Sequence, residues 1–339
     1  MSRCVADTAR KADRPAGLHP SIAFVMLLDH FEQYCRCVHV VSSPSSIDAP
    51  ASPSLDDPTD HFYESQGLRL HYADWGNNTA PALILIHGGR DHCRSWDAVA
   101  LRLRAHFHVM APDLRGHGDS DWAKGSSYSL SDYVYDLTRL LRATSVHQAA
   151  IVGHSMGGMV ALMYAGAYPD QVSRLAVLDG VTVVPGSPRK PIHKRITEWV
   201  SQLDKIAQRK DPVFHSVAEA AERISAHNMR LTSERALHLA SHGVRQNADD
   251  SYSWKFDQYQ SVRAPYRLSP NEHAVLWSHI SCPTLLLRGD ESFLPDPEAA
   301  GVLKYFRQAR LVTVAGAGHW LHHDKLDEVL GALLPFLAA

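Results

Sequence analysis

Residues 151–159 read IVGHSMGGM, a serine set among glycines at the end of a small and apolar run. A strand that enters a helix through a very tight turn forces its central residue into a strained backbone conformation, tolerated only where the flanking side chains are small. Gly153 and Gly157 meet that need, with AAIV (149–152) as the strand and GMVALMYAGAY (158–168) as the helix. The turn would lift the Ser155 hydroxyl clear of the sheet. It would also point the backbone amide of Met156, at the helix N-terminus, toward an oxyanion forming on a substrate.

Working outward, the same strand-to-helix alternation recurs. ALILIHGG (82–89), HVMAPDLRGHG (108–118), QAAIVGHS (148–155), RLAVLDG (174–180), TLLLRGD (284–290) and ARLVTVAGAGH (309–319) each carry a continuous apolar run. Such runs suit strands buried on both faces of a parallel sheet. Between them lie the helical patterns WDAVALRLRAHF, SLSDYVYDLTRLLRAT, MVALMYAGAYPDQV, DPEAAGVLKYF and KLDEVLGALLPFL. Right-handed crossovers then give an α/β fold with a doubly wound, mostly parallel sheet. FYESQGLRLHYADWG (62–76) alternates in polarity around Gly67 and reads as two antiparallel strands.

Two intervals break the rhythm. Residues 42–60, SSPSSIDAPASPSLDDPTD, cannot bury enough apolar surface to offset the entropy of ordering. Residues 1–60 are therefore read as an N-terminal appendage and linker. Between 185 and 280 the chain turns helical, charged and rich in histidine and aromatics, which reads as a helical cap inserted into a core of residues 61–184 and 281–339. Inserted there, it would cover the carboxyl edge of the sheet, where open α/β folds bind ligands.

Composition bounds the partners. Lys and Arg total 34 against 36 for Asp and Glu, so no overall field attracts nucleic acid or an anionic membrane. A neutral or small-molecule partner is expected; oligomeric state is not legible. Five scattered cysteines do not form a disulfide framework, which favours a reducing, cytoplasmic setting. SIAFVMLL (21–28) follows basic residues in the manner of a signal peptide, but no small-x-small cleavage site follows it. No run reaches the roughly 18 apolar residues of a membrane span.

A serine hydroxyl is a poor nucleophile until a base takes its proton. His319 in VAGAGHWLHHD (314–324), at the end of the last strand pattern, is the candidate base. Gly316 and Gly318 let that loop turn back over the sheet edge. His322, His323 and Asp324 follow closely, but without further ligands they are read as the start of the last helix rather than as a metal site.

Residues 61–339 resemble the α/β-hydrolase fold superfamily in its capped form. The resemblance is carried by His87-Gly88-Gly89, by Asp113-Leu114-Arg115-Gly116-His117-Gly118, by GHSMG around Ser155 and by Gly318-His319-Trp320. It implies a serine hydrolase acting on carboxylic esters, with Gly89 supplying a second oxyanion amide beside that of Met156. Asp113, Arg115 and His117 are read as pinning their loop. Members of this superfamily most often place the third triad residue in a G-x-x-D pattern after the seventh strand. Here that stretch is Gly289-Asp290-Glu291-Ser292, with serine where the acid belongs. The superfamily also places the acid at the end of the sixth strand, where this chain has Asp179. Asp179 is the preferred acid and Asp290 the alternative, since the requirement is a carboxylate that accepts the other imidazole N–H.

No metal or organic cofactor is required by such chemistry. The expected substrate is a small-molecule ester or related carbonyl compound. A C–C bond hydrolase, a lactonase, a perhydrolase and a low-turnover ligand-binding receptor remain open on the same fold. Serine at the turn separates the chain from haloalkane dehalogenases and epoxide hydrolases of similar architecture, which use aspartate there. Trp199, Phe214, Trp254, Phe256, Tyr259 and Tyr266 are candidate pocket aromatics, or packing groups of the cap.

Overall fold

The computed structural model describes residues 57–125 and 128–339. The appendage and most of the linker, residues 1–56, lie outside the described residues. The described chain opens on a hairpin of β1 (Thr59–Ser65) and β2 (Leu68–Asp74), paired from Thr59↔Asp74 to Ser65↔Leu68. Its two turn residues, Gln66 and Gly67, have φ of 50° and 74°. Positive φ at both central positions matches the right-handed twist of the flanking strands.

An eight-stranded sheet forms the centre. It adds β3 (Ala82–Ile86), β4 (His108–Pro112), β5 (Ala149–His154), β6 (Val172–Leu178), β10 (Thr284–Gly289) and β11 (Ala309–Val314). The order is β1-β2-β4-β3-β5-β6-β10-β11, and β2 alone runs against its neighbours. This is an α/β-hydrolase sheet, mostly parallel, with β5 at its middle.

Period-two alternation explains why the strands are apolar throughout. Ile84, Ile86, Ile151, Leu175, Val177 and Leu286 turn to one face. There they meet α2 (Leu130–Ala143) through Leu137 and Leu140, and α3 (Met156–Ala167) through Val160 and Tyr164. Leu83, Leu85, Val152, Ala176, Leu178, Leu285 and Leu287 turn to the other. That face is closed by Val99 and Leu103 of α1 (Asp97–Leu103) and by Leu333 and Phe336 of the C-terminal helix.

The interval 185–280 holds α4 (Ile192–Gln208), α5 (Val217–Ser225), α6 (Ser233–Gly243) and α7 (Pro270–His279). It also holds a small antiparallel sheet, in the order β7 (Val213–Phe214), β9 (Tyr252–Trp254), β8 (Val244–Gln246). Strands of two or three residues leave no periodic trace in the sequence, which is why this interval reads as purely helical. Helix α7 packs on α3: a Cβ on Gly166 would lie 2.4 Å from the Leu276 carbonyl oxygen. Trp277 and Ile280 join the same core cluster as α2 and α3. After β11 come α8 (Leu321–Asp324) and α9 (Leu326–Ala338). No helix of the described residues is long and apolar enough to cross a membrane.

Candidate active site

Ser155 is the single residue between β5 and α3, and its backbone is strained, with φ 51° and ψ −115°. Holding a non-glycine residue there costs on the order of 1–3 kcal/mol, so the surroundings must over-determine it. They do. Ser155 N–H donates to the Leu178 carbonyl at 3.0 Å, and its carbonyl accepts from Met159 N–H at 3.1 Å. A Cβ on Gly153 would lie 2.4 Å from the Gly157 carbonyl oxygen, and one on Gly157 would lie 2.3 Å from that of Ile86. The glycines around the serine are therefore where helix, sheet and loop backbones touch.

The hydroxyl so presented lies 2.9 Å from Nε2 of His319, and Nδ1 of His319 lies 2.6 Å from Oδ2 of Asp179. Asp179 follows directly on β6, with its N–H donating to the Leu287 carbonyl at 2.7 Å. Both His319 and Asp179 are buried, while Ser155 is half-buried. Three residues far apart in the chain thus meet at the carboxyl edge of the sheet.

Asp290 is turned elsewhere. It is exposed, and its Oδ1 accepts from Gly316 N–H at 2.7 Å, bracing the loop that leads to His319. Ser292 donates its hydroxyl to Oδ2 of Asp179 at 2.5 Å. The side chain at the G-x-x-D position therefore touches the carboxylate beside His319.

The Gly88-Gly89 loop lies against the serine turn. A Cβ on Gly88 would be 3.3 Å from that of Ser155, and one on Gly89 would be 3.8 Å from the Met156 sulfur. His87 holds this loop. Its Nε2 accepts from Leu114 N–H at 3.0 Å, which leaves Nδ1 to donate to the Gly88 carbonyl at 2.6 Å. Burial depresses its pKa to about 3, so the imidazole is neutral, as that tautomer requires.

Asp113, Arg115 and His117 pin the neighbouring loop. Asp113 accepts from Cys93 N–H at 2.7 Å, His71 Nδ1 at 2.7 Å and Asp119 N–H at 2.9 Å. Arg115 reaches both oxygens of Asp136 at 2.6 Å. His117 Nδ1 sits 3.0 Å from the Arg115 carbonyl. Of the aromatics within 185–280, Phe214 and Trp254 meet edge to face at 4.8 Å and Trp254 stacks on Phe256 at 5.6 Å, packing that interval on itself. Tyr266 is 80% exposed.

Two contacts at His319 have no sequence signature. His154, inside the serine motif, is buried, and its Nε2–H donates to the His319 carbonyl at 2.9 Å across 165 positions of chain. Phe293 is half exposed, with its ring 4.7 Å from the His319 imidazole. Only the fold brings them there.

A strained serine turn, a histidine at the end of the last strand and a carboxylate after the sixth thus meet at one edge of the sheet. A family model described as the alpha/beta hydrolase fold matches residues 81–326, and the chain belongs to that family. Among curated relatives, it is 26% identical to Epoxide hydrolase 4 of Mus musculus, over 96% of this chain and 97% of that one. It is 25% identical to Esterase YbfF of Escherichia coli, over 80% and 98%. Among solved structures, the thioesterase domain from the curacin biosynthetic pathway superposes with a TM-score of 0.73 at 27% identity, covering 82% of this chain and 99% of that one.

Proposed function

We propose that this hydrolase cleaves carboxylic esters through an acyl-serine intermediate, with residues 185–280 as a cap over the site. Ser155 Oγ attacks the ester carbonyl carbon while its proton passes to His319 Nε2. The carbonyl π electrons move to oxygen, and the oxyanion is held by the backbone amides of Gly89 and Met156. Collapse expels the alcohol, which leaves with the proton from His319. Water then gives a proton to His319 and attacks the acyl carbon, and Ser155 departs with that proton as the acid is released. Asp179 accepts the Nδ1–H throughout, fixing the tautomer and stabilising the imidazolium.

One observation carries this reading: the unbroken hydrogen-bonded line from Asp179 through His319 to Ser155. The esterase and thioesterase names among the relatives favour acyl transfer as well. The epoxide hydrolase relative points to a different electrophile. A serine alkoxide opening an epoxide would leave an ether that water does not readily cleave, whereas its acyl ester turns over. Ser155 therefore favours a carbonyl substrate.

A fluorophosphonate probe tests the proposal together with hydrolysis of p-nitrophenyl esters. Labelling and turnover of the wild-type chain, both lost in Ser155→Ala, are expected. An unlabelled wild-type chain, or ester turnover that survives in Ser155→Ala, would refute it.

A further inference from the structure

Behind His319 lies a second set of ligating side chains. We propose that Asp91, His322 and His323 form a binding site for a divalent transition-metal ion of the zinc type. One carboxylate oxygen and one nitrogen from each imidazole lie within 4.8 Å of one another. Tetrahedral zinc, with bonds of about 2.0–2.2 Å, spaces its ligand atoms roughly 3.4 Å apart, so closure by up to about 1.4 Å brings the set together. His322 and His323 stand next to each other in α8, with ring centroids 4.1 Å apart. The ligand missing from the sequence around them is supplied by Asp91, from the loop that follows Gly88-Gly89.

One feature above all separates this cluster from an incidental one. His322 is 2% exposed, and neither of its ring nitrogens has a hydrogen-bond partner among the described residues. A buried polar group left without a partner is costly, and a bound cation would relieve it. Asp91 and His323 are half-buried, so an ion has a route in.

The other candidate clusters are already committed. Asp97, near His238 and His242, receives two bonds from Arg94 Nε, at 3.0 and 2.9 Å. His71, near Cys93 and Asp113, is held between Asp113 at 2.7 Å and Asp60 at 3.0 Å. Asp324, adjacent to His323, accepts from Gly318 N–H at 2.8 Å and from Asn228 Nδ2 at 3.0 Å.

The site is coupled to His319 through one ring. His322 packs on His154 at 4.6 Å, and His154 holds the His319 carbonyl. An ion that draws His322 toward Asp91 therefore pulls on the support of His319, and slower ester turnover is expected as a secondary effect.

The test is direct binding of cobalt(II) to the tag-free, chelator-treated full chain, read by the visible absorption of tetrahedral cobalt and by zinc competition. Saturation at one equivalent is expected, weakened roughly tenfold or more in Asp91→Asn and His322→Gln and unchanged in His242→Gln. If His322→Gln does not fold by circular dichroism, Asp91→Asn decides, because its amide oxygen can keep the bond from the His92 amide at 2.9 Å. Absence of saturable binding, or binding indifferent to Asp91→Asn, would overturn the site. Binding is read without ester turnover, so its failure is separate from failure of the proposed reaction.

Discussion

Ser292 and His319 both place a hydrogen on one carboxylate oxygen, Oδ2 of Asp179, at 2.5 and 2.6 Å. Ser292, at the G-x-x-D position, is thus a donor to a carboxylate supplied from beyond another strand. A charge-assisted bond of this kind orients the carboxylate and disperses its charge.

Exchanging the two carboxylates for amides separates their roles. Asp179→Asn is expected to lower kcat by about a thousandfold or more, because an amide cannot hold the imidazolium or the required tautomer. Asp290→Asn should cost less than about tenfold, since its amide oxygen can still accept from Gly316 N–H. Steady-state kinetics on a p-nitrophenyl ester decide, and the reverse ranking would refute the acid assignment.

The Ser292 contact gives a finer test. Ser292→Ala should lower kcat roughly fivefold to thirtyfold, the equivalent of about 1–2 kcal/mol. In the Asp179→Asn background, Ser292→Asp should restore at least tenfold of the lost rate, since the new carboxylate starts from a position already in contact with residue 179. No recovery in a folded double variant would show that position 292 cannot reach His319.

Much of this architecture is legible in the sequence because it is steric or periodic. Two-face burial writes continuous apolar runs, and the turn at Ser155 demands glycine wherever backbones touch. The carboxylate that meets His319 is less legible: Asp179 and Asp290 both follow strands, and in the fold Asp179 lies 2.6 Å from His319 Nδ1 while Asp290 accepts from Gly316 N–H. Ser292 and His154 bond to partners more than a hundred positions away, Phe293 packs on one 26 positions away, and none of the three carries a local pattern. The strands β7, β8 and β9 of the small sheet are too short to show a period.

Backbone contact at Gly157 has a measurable cost. Gly157→Ala places a methyl 2.3 Å from the Ile86 carbonyl oxygen, against backbone that cannot retreat cheaply. A loss of at least about 2 kcal/mol is expected in urea unfolding, as for overpacked cores. Gly331→Ala, in α9 with no atom within 4 Å of the added carbon, should be neutral or stabilising by up to about 1 kcal/mol. Equal effects of the two would contradict the steric account.

Acid should destabilise the fold well before its carboxylates titrate. Burial depresses His87, His242 and His323 to about 3 and His117 to about 4. In the unfolded chain each titrates near 6.5. The unfolded state therefore binds more protons between these limits, so stability is full above about pH 6.5 and falls as pH drops toward 4. The urea midpoint should decrease steadily from pH 7 to 5; a flat profile would mean these histidines charge without unfolding.

In the proposed reaction the acyl group of the substrate passes covalently through Ser155. Rapid acid quench of the wild-type chain under saturating p-nitrophenyl ester, followed by peptide mass analysis, tests it most directly. The expected result is the mass of one acyl group on the peptide carrying Ser155, formed and lost at rates consistent with turnover. Turnover with an acyl group on a different residue, or undiminished turnover in Ser155→Ala, would contradict it.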